Sequence, residues 1–275
     1  MRRMSTEQLT KLPFAKKVNI ITSAFFAPKL SYYFAENQKD IKAAQRLRYK
    51  VFFSERDKKI VSLKYFKRDS DKYDQFADHL IVTHQNGKFS KTKVVGTYRL
   101  LNSKSAQRCG FYSKEEFDID RMLNNHENQN LLELSRSCIH KNFRKKNVLQ
   151  FMWKKIHHYI LNHNIDVLFG MASFLNDKPQ EIKTELTYLY QKFLMEESIR
   201  VSALNKHKTD MNIANLDNVS ELSIVKNLPT LVKAYLRLGA KIGDGAVIDY
   251  VVKTTDIFIY LPYKNISKTY LKKFI

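Results

Sequence analysis

The residues best placed for chemistry lie together between Leu131 and His163, in LLELSRSCIHKNFRKKNVLQFMWKKIHHYILNH. Leu131 to Ile139 is rich in apolar and β-capable types and reads as one strand. Simple alternation puts Glu133, Ser135 and Ser137 on one face and Leu132, Leu134, Arg136 and Cys138 on the other. A carboxylate projecting from mid-strand is the pattern of a general base, and the plainer reading is that Glu133 and Arg136 are satisfied ion-pair partners. The next segment, HKNFRKK, carries the cations Lys141, Arg144, Lys145 and Lys146. It leads into a helix over Val148 to Ile160, with Val148, Leu149, Met152, Ile156, Tyr159 and Ile160 along one stripe. Backbone N–H groups, the positive helix end and these side chains would all face one anion, which suits a phosphate-bearing ligand.

The elements that must hold this strand, loop and helix follow from periodicity. Leu30 to Phe34 reads as a strand, followed by a helix capped by Asp40 and running through Phe53 with Ile41, Ala44, Leu47 and Val51 on one side. Leu80 to Thr83 and Val94 to Leu101 read as strands joined through the turn-forming Gln85-Asn86-Gly87. Beyond the Leu131 strand and its helix come an apolar strand, Asp166 to Ser173, and a helix from Pro179 to Phe193. Arg200 to Ser220 is polar with little periodicity, an excursion on the same domain. Leu228 to Leu238 reads as a helix closed by Gly239, before two final strands and a lysine-rich terminal helix. The order is β-α-β-β-β-α-β-α: an α/β (α+β) fold with a mixed central sheet flanked by helices.

Composition bounds the function. The chain has 275 residues, 44% hydrophobic and 27% charged, which is globular rather than disordered or fibrous. Its net charge, 48 − 27 = +21, predicts an acidic partner, either an anionic membrane surface, a nucleic acid or an acidic carrier protein, unless lysine richness is only a compositional habit. Cys109 and Cys138 form no disulfide framework or zinc spacing, so a reducing cytoplasm is the expected setting and no metal is expected. Residues 1–29 hold six Lys or Arg against one acid and are expected to form a flexible basic arm. In a second reading the arm is an interfacial segment in which Phe25 and Phe26 dip into the inner face of the cytoplasmic membrane. Residues 30–275 are then one domain.

RYKVF (48–52), DKYDQFADHLIV (71–82), VVGTYRLL (94–101), GFYSKEEFDI (110–119), LELSRSCIH (132–140), LRLGAKIGDGAVID and TTDIFIYLP carry a more specific signal. Together with the element order they resemble the GNAT acyltransferase fold and, within it, the L-ornithine N-alpha-acyltransferases of ornithine lipid synthesis. Arg48, Phe52, Asp71, Asp74, Arg99, Glu133 and Arg136 are also similar to positions of the acyl-homoserine-lactone synthases, and the C-terminal motifs favour the ornithine family. The resemblance implies transfer of a (3-hydroxy)fatty acyl chain from acyl carrier protein to the α-amino group of L-ornithine, giving lyso-ornithine lipid. Acyl-carrier phosphopantetheine thioester is then a co-substrate, with no bound cofactor. It also implies Glu133, Ser135 and Arg136 as catalytic residues and Arg48, Phe52, Asp71, Asp74, Asp78 and Arg99 as acceptor-binding residues. The phosphopantetheine would meet Ser137, Ile139, Arg144, Lys145, Lys146 and Asn147.

One departure from the superfamily pattern is the phosphate loop Arg144-Lys145-Lys146-Asn147-Val148-Leu149, which has no glycine. Asn tolerates positive φ, so Asn147 is expected to replace the first glycine, in a loop better suited to one carrier phosphate than to a coenzyme A pyrophosphate. Another amino-acid N-acyltransferase fits the same chemistry. A basic nucleic-acid module fits less well, since the cations are not set beside regularly spaced aromatics and no helix-turn-helix, zinc or RNP pattern is present. A membrane-lytic protein lacks any apolar span.

Overall fold

The computed structural model describes residues 28–55, 67–87, 90–145 and 147–266. The expected basic arm, apart from Pro28 and Lys29, and the lysine-rich C-terminal helix lie outside the described residues. β1 (Pro28–Phe34) leads into α1 (Gln38–Tyr49), which Asn37 caps by accepting from the N–H groups of Lys39 and Asp40. The cap is therefore Asn37 and not Asp40, and the helix continues beyond Tyr49 as a π-helical turn, Lys50–Ser54. β2 (Asp78–Asn86) and β3 (Lys93–Asn102) follow, then a short helix α2 (Ser103–Cys109), β4 (Phe117–Asp118) and α3 (Asp120–Asn124). The strand β5 spans Leu131–Ile139 and the helix α4 Val148–Asn162, as the periodicity predicts. After β6 (Val167–Phe174) come α5 (Lys183–Phe193), β7 (Ser202–Ala203), β8 (Lys208–Thr209), α6 (Glu221–Asn227) and α7 (Thr230–Arg237), then β9 (Lys241–Asp249) and β10 (Thr254–Pro262). Among the described residues no helix is long and apolar enough to cross a membrane.

One sheet runs in the order β1-β2-β3-β5-β6-β10-β9-β7-β4, with β8 paired to β9. Its two faces carry separate cores because side chains alternate along each strand. One face packs Leu132, Leu134, Leu168 and Ile257 against Val148, Met152 and Ile156 of α4, and the other packs Leu131, Phe169 and Phe258 with Phe111 and Phe117.

At the centre, β5 and β6 pair in parallel only over Leu131–Glu133 against Val167–Phe169. Beyond that point β5 has no strand partner on its β6 side among the described residues, so the sheet opens where its middle would otherwise be sealed. The parting occurs at Gly170, where a Cβ would stand 2.1 Å from the Leu134 carbonyl oxygen. Only glycine lets the two backbones approach so closely before diverging. Replacing Gly170 by alanine is therefore expected to lower stability by about 3 kcal/mol. It should also disturb the opening, and chemical denaturation of the variant checks this.

Candidate active site

The opening is a cavity of about 190 Å³. On one side lie Ser135, Arg136 and Ser137 of β5, on the other Met171, Ala172 and Ser173 of β6, with Phe52 and Tyr112 over them and Asp249, Thr254 and Asp256 of the β9–β10 hairpin along the far wall. The expectation that Arg136 lies opposite Glu133 fails for a local reason. Between Thr97–Cys138 and Arg99–Ser135 the β3–β5 register slips, and Arg136 takes φ 51°, which makes a β-bulge. The bulge turns Arg136 onto the Glu133 face, its guanidinium 4.8 Å from the centre of the Tyr112 ring. Ser137 is turned to the other side, where it hydrogen-bonds Tyr98.

Glu133, expected as the base, is fully buried and is not among the residues lining the cavity. It accepts from the Tyr112 N–H at 2.8 Å and from both the N–H (2.6 Å) and hydroxyl of Ser113. Burial pushes its pKa up against the pull of those donors. Both carboxylate oxygens are thus engaged in fixing the loop that carries Tyr112.

The acids and arginines expected to bind an acceptor form a buried network instead. Arg48 reaches Asp69 Oδ2 at 2.9 Å and Asp74 Oδ1 and Oδ2 at 2.7 and 2.8 Å. Arg99 donates to Asp71, to Asp74 at 3.1 Å and to the Ser135 hydroxyl at 2.9 Å, and Arg136 reaches Asp71 at 3.3 Å. Burial raises the Asp74 pKa, but the Arg48 and Arg99 charges outweigh it and hold the carboxyl far below the ordinary range. Asp78 instead accepts from the Tyr159 hydroxyl at 2.7 Å. Of the expected acceptor residues, Phe52 alone lines the cavity.

At the basic loop Asn147 has φ 53° and ψ 17°, the left-handed conformation expected of a glycine substitute at the start of α4. Lys145 is exposed and Lys146 lies outside the described residues. Arg144 is engaged, donating from Nε to the Ile139 carbonyl at 3.1 Å and to Glu55 at 2.6 Å.

Sequence reasoning passed over the acids that line the cavity, Asp249 and Asp256, and over Glu116, which does not line it but is coupled electrostatically to both. Asp256 is 8% exposed, and burial, opposed by its hydrogen bond with Ser173 and reinforced by the charge of Asp249, raises its pKa to about 6. Glu116 is raised to about 8 by burial and by Asp256 and Asp249. The available signal was an ionisable residue inside the otherwise apolar strand TTDIFIYLP.

Residues 47–154 match the family Acetyltransferase (GNAT) domain. The L-ornithine N(alpha)-acyltransferase of Brucella abortus (strain 2308) is 37% identical over 247 residues, 86% of this chain and 85% of that protein. The protein of that name from Rhizobium meliloti (strain 1021) is 37% identical over 241 residues, 86% of this chain and 81% of that protein. Among solved structures, a CoA-dependent acyl-homoserine lactone synthase, MesI, aligns with a TM-score of 0.46 and 12% identity over 90% of this chain and 93% of that chain.

The geometry of Glu133 sets a test. Glutamine can accept at only one end, so its amide nitrogen would face an N–H of Tyr112 or Ser113. Glu133→Gln is expected to lower stability by about 1–3 kcal/mol, read as a shifted denaturation midpoint. A base with no structural duty would instead leave the midpoint unmoved and lower turnover alone.

Proposed function

We propose that this chain, which belongs to the L-ornithine N(alpha)-acyltransferase family and is an acyltransferase of the GNAT fold, moves a fatty acyl group from a carrier-bound thioester onto the α-amino group of L-ornithine. The observation that carries the reading is the edge of β5 beyond Glu133, unpaired among the described residues and facing a cavity of mixed polar and apolar lining. An extended pantetheine arm bears amides that can pair with such an edge as an added strand, which would bring its thioester carbonyl to the parting of β5 and β6. The names of the relatives support ornithine as acceptor.

In the proposed reaction the neutral α-amine attacks the thioester carbonyl. The oxyanion is stabilised by donors of the β5 edge around Ser137, and its collapse breaks the C–S bond while the remaining excess proton on nitrogen passes to the departing sulfur, so the carrier thiol leaves and an amide, the lyso-ornithine lipid, is formed. The attacking amine must first lose a proton. Glu133 is tied by three donors, so we assign the proton acceptor to Glu116, directly or through one water. Its pKa of about 8 lies close to that of an amino-acid ammonium, and its Oε2 is buried without a hydrogen-bond partner among the described residues. A single carrier phosphate would sit at the start of α4, where Asn147 stands in for glycine, and the carrier's acidic surface would meet a chain of net charge +21.

Supplying the protein with L-ornithine and either acyl carrier protein thioester or acyl-coenzyme A, with mass spectrometry of the product, tests this. N-acyl-ornithine should form faster from the carrier donor. Equal rates would remove the carrier, and acylation of no amino acid would remove the whole reading. Glu116 makes its own prediction. As a base it must be ionised, so kcat/KM should rise with pH through about 8 in the wild type, and Glu116→Gln should lose that limb. Stability should run the other way. The folded pKa lies above the ordinary 4.5, so the native state binds more protons than the unfolded chain and stability falls as pH rises from about 4.5 to about 8. That decline should be shallower in Glu116→Gln, measured by denaturation across the same range.

A further inference from the structure

Two cavity-lining side chains of opposite charge each leave a buried polar atom without a hydrogen-bond partner among the described residues: Nε of Arg136 and Oδ1 of Asp256. For Arg136 the nearest acid to Nε is Asp69 at 3.7 Å, too far for a hydrogen bond. For Asp256, Ser173 and Thr254 hydrogen-bond the carboxyl yet leave Oδ1 bare in a side chain more than nine-tenths buried. A buried, unpaired polar atom is costly, and two at a cavity wall with complementary charge describe what the cavity lacks.

The surroundings sharpen the description. Asp256 stands on β10 opposite Val247, two pairs along from Thr254 opposite Asp249. Asp249 also lines the cavity, its Oδ1 held by the N–H groups of Val251 and Val252 at 2.7 and 2.9 Å. The hairpin end of the cavity is therefore doubly acidic, and the β5 end carries the guanidinium. An ammonium offers three donors and one positive charge, and a carboxylate offers acceptors to a guanidinium.

We propose that Asp256, with Asp249, receives the side-chain ammonium of a diamino acid while Arg136 Nε receives its α-carboxylate, so that the acidic end of the cavity is the specificity determinant for a basic acceptor. The assignment rests on the reading of the chain as an amino-acid N-acyltransferase. A neutral side chain of the same length would leave Asp256 buried and unpaired, and an amino acid lacking the distal amine is rejected for that reason. The site also sets a direction. With the two charged ends held, the α-amine lies at the carboxylate end, beside the β5 wall where the thioester is expected, and the distal amine is kept away from it.

The experiment compares L-ornithine with L-norvaline, which has the same carbon chain without the distal amine, in wild type and in Asp256→Asn. The ratio of kcat/KM for ornithine over norvaline should fall by roughly ten- to a hundredfold in the variant, with the loss for ornithine chiefly in KM. In parallel, thermal denaturation with each amino acid alone should show that ornithine raises the wild-type midpoint and norvaline does not, and that Asp256→Asn abolishes the difference. Asn keeps the size of the side chain. Should Asp256→Asn fail to fold, Asp249→Asn carries the same comparison. An unchanged ratio together with an unchanged ornithine-specific shift overturns the subsite and leaves the acyltransferase reading standing. If wild type acylates no amino acid, that reading fails, and the ornithine-specific midpoint shift alone then decides whether the acidic end binds a distal ammonium.

Discussion

Three guanidiniums held on one short acidic segment are the constraint on which the rest of this structure depends. Arg48 comes from α1, Arg99 from β3 and Arg136 from the bulge of β5, and all three are answered by Asp69, Asp71 and Asp74. The set is balanced in charge, so no net charge is buried, but each member is needed. Removing one partner of a buried pair typically costs about 3–5 kcal/mol because the other charge is left uncompensated. The network ties a helix to two neighbouring strands at the level where β5 parts from β6. It also accounts for the bulge, since a non-glycine residue at φ 51° costs on the order of 1–3 kcal/mol unless its surroundings impose it. The ion pairs with Asp69 and Asp71 and the Tyr112 ring supply that imposition.

The same residue types behave oppositely a few strands away. Asp74 is buried but surrounded by guanidiniums, and its carboxyl is held ionised far below neutral pH. Asp256, buried, and Glu116, half-buried, have acids for neighbours and a single guanidinium, that of Arg136, against them, and their proton affinities rise toward neutrality. Burial acts on all three in one direction, so the number of adjacent cations decides the outcome. The structure thus separates carboxylates that hold the frame from carboxylates open to exchange with a proton or a cation, as a site that handles ammonium groups requires.

Much of the frame was legible in the sequence because long elements carry strong periodicity: β5, α4 and β6 fall within a residue or two of their expected positions. The short pieces α2, β4, β7 and β8 were not, since elements of two to seven residues contain too few periods to register. The site was legible in part. Arg48, Arg99, Asp71 and Asp74 were visible as a charged group, but as acceptor-binding residues rather than as the ion-pair network observed. Arg136 and Ser137 changed faces because a bulge inverts every residue after it, and nothing in LELSRSCIH announces an extra residue. Asp249 looks like an ordinary hairpin-end residue, and Asp256, though an acid inside an apolar strand, is marked as part of a site only when the fold brings it to the cavity wall.

Charge is distributed by depth as well as by sign. The chain carries +21 overall, while the far wall of its central cavity is acidic. In solution the exterior field is screened within about 8 Å at physiological ionic strength, whereas charges in a partly buried cavity are screened far less. A cationic small molecule is therefore repelled only weakly by the surface and is held by the nearby, poorly screened acids once inside. An anionic macromolecule experiences the reverse, attraction to a net positive charge and no access to the acidic wall of the cavity. Burial thereby lets one protein present a net positive charge to the outside and negative charge inside the cavity between the parted strands β5 and β6.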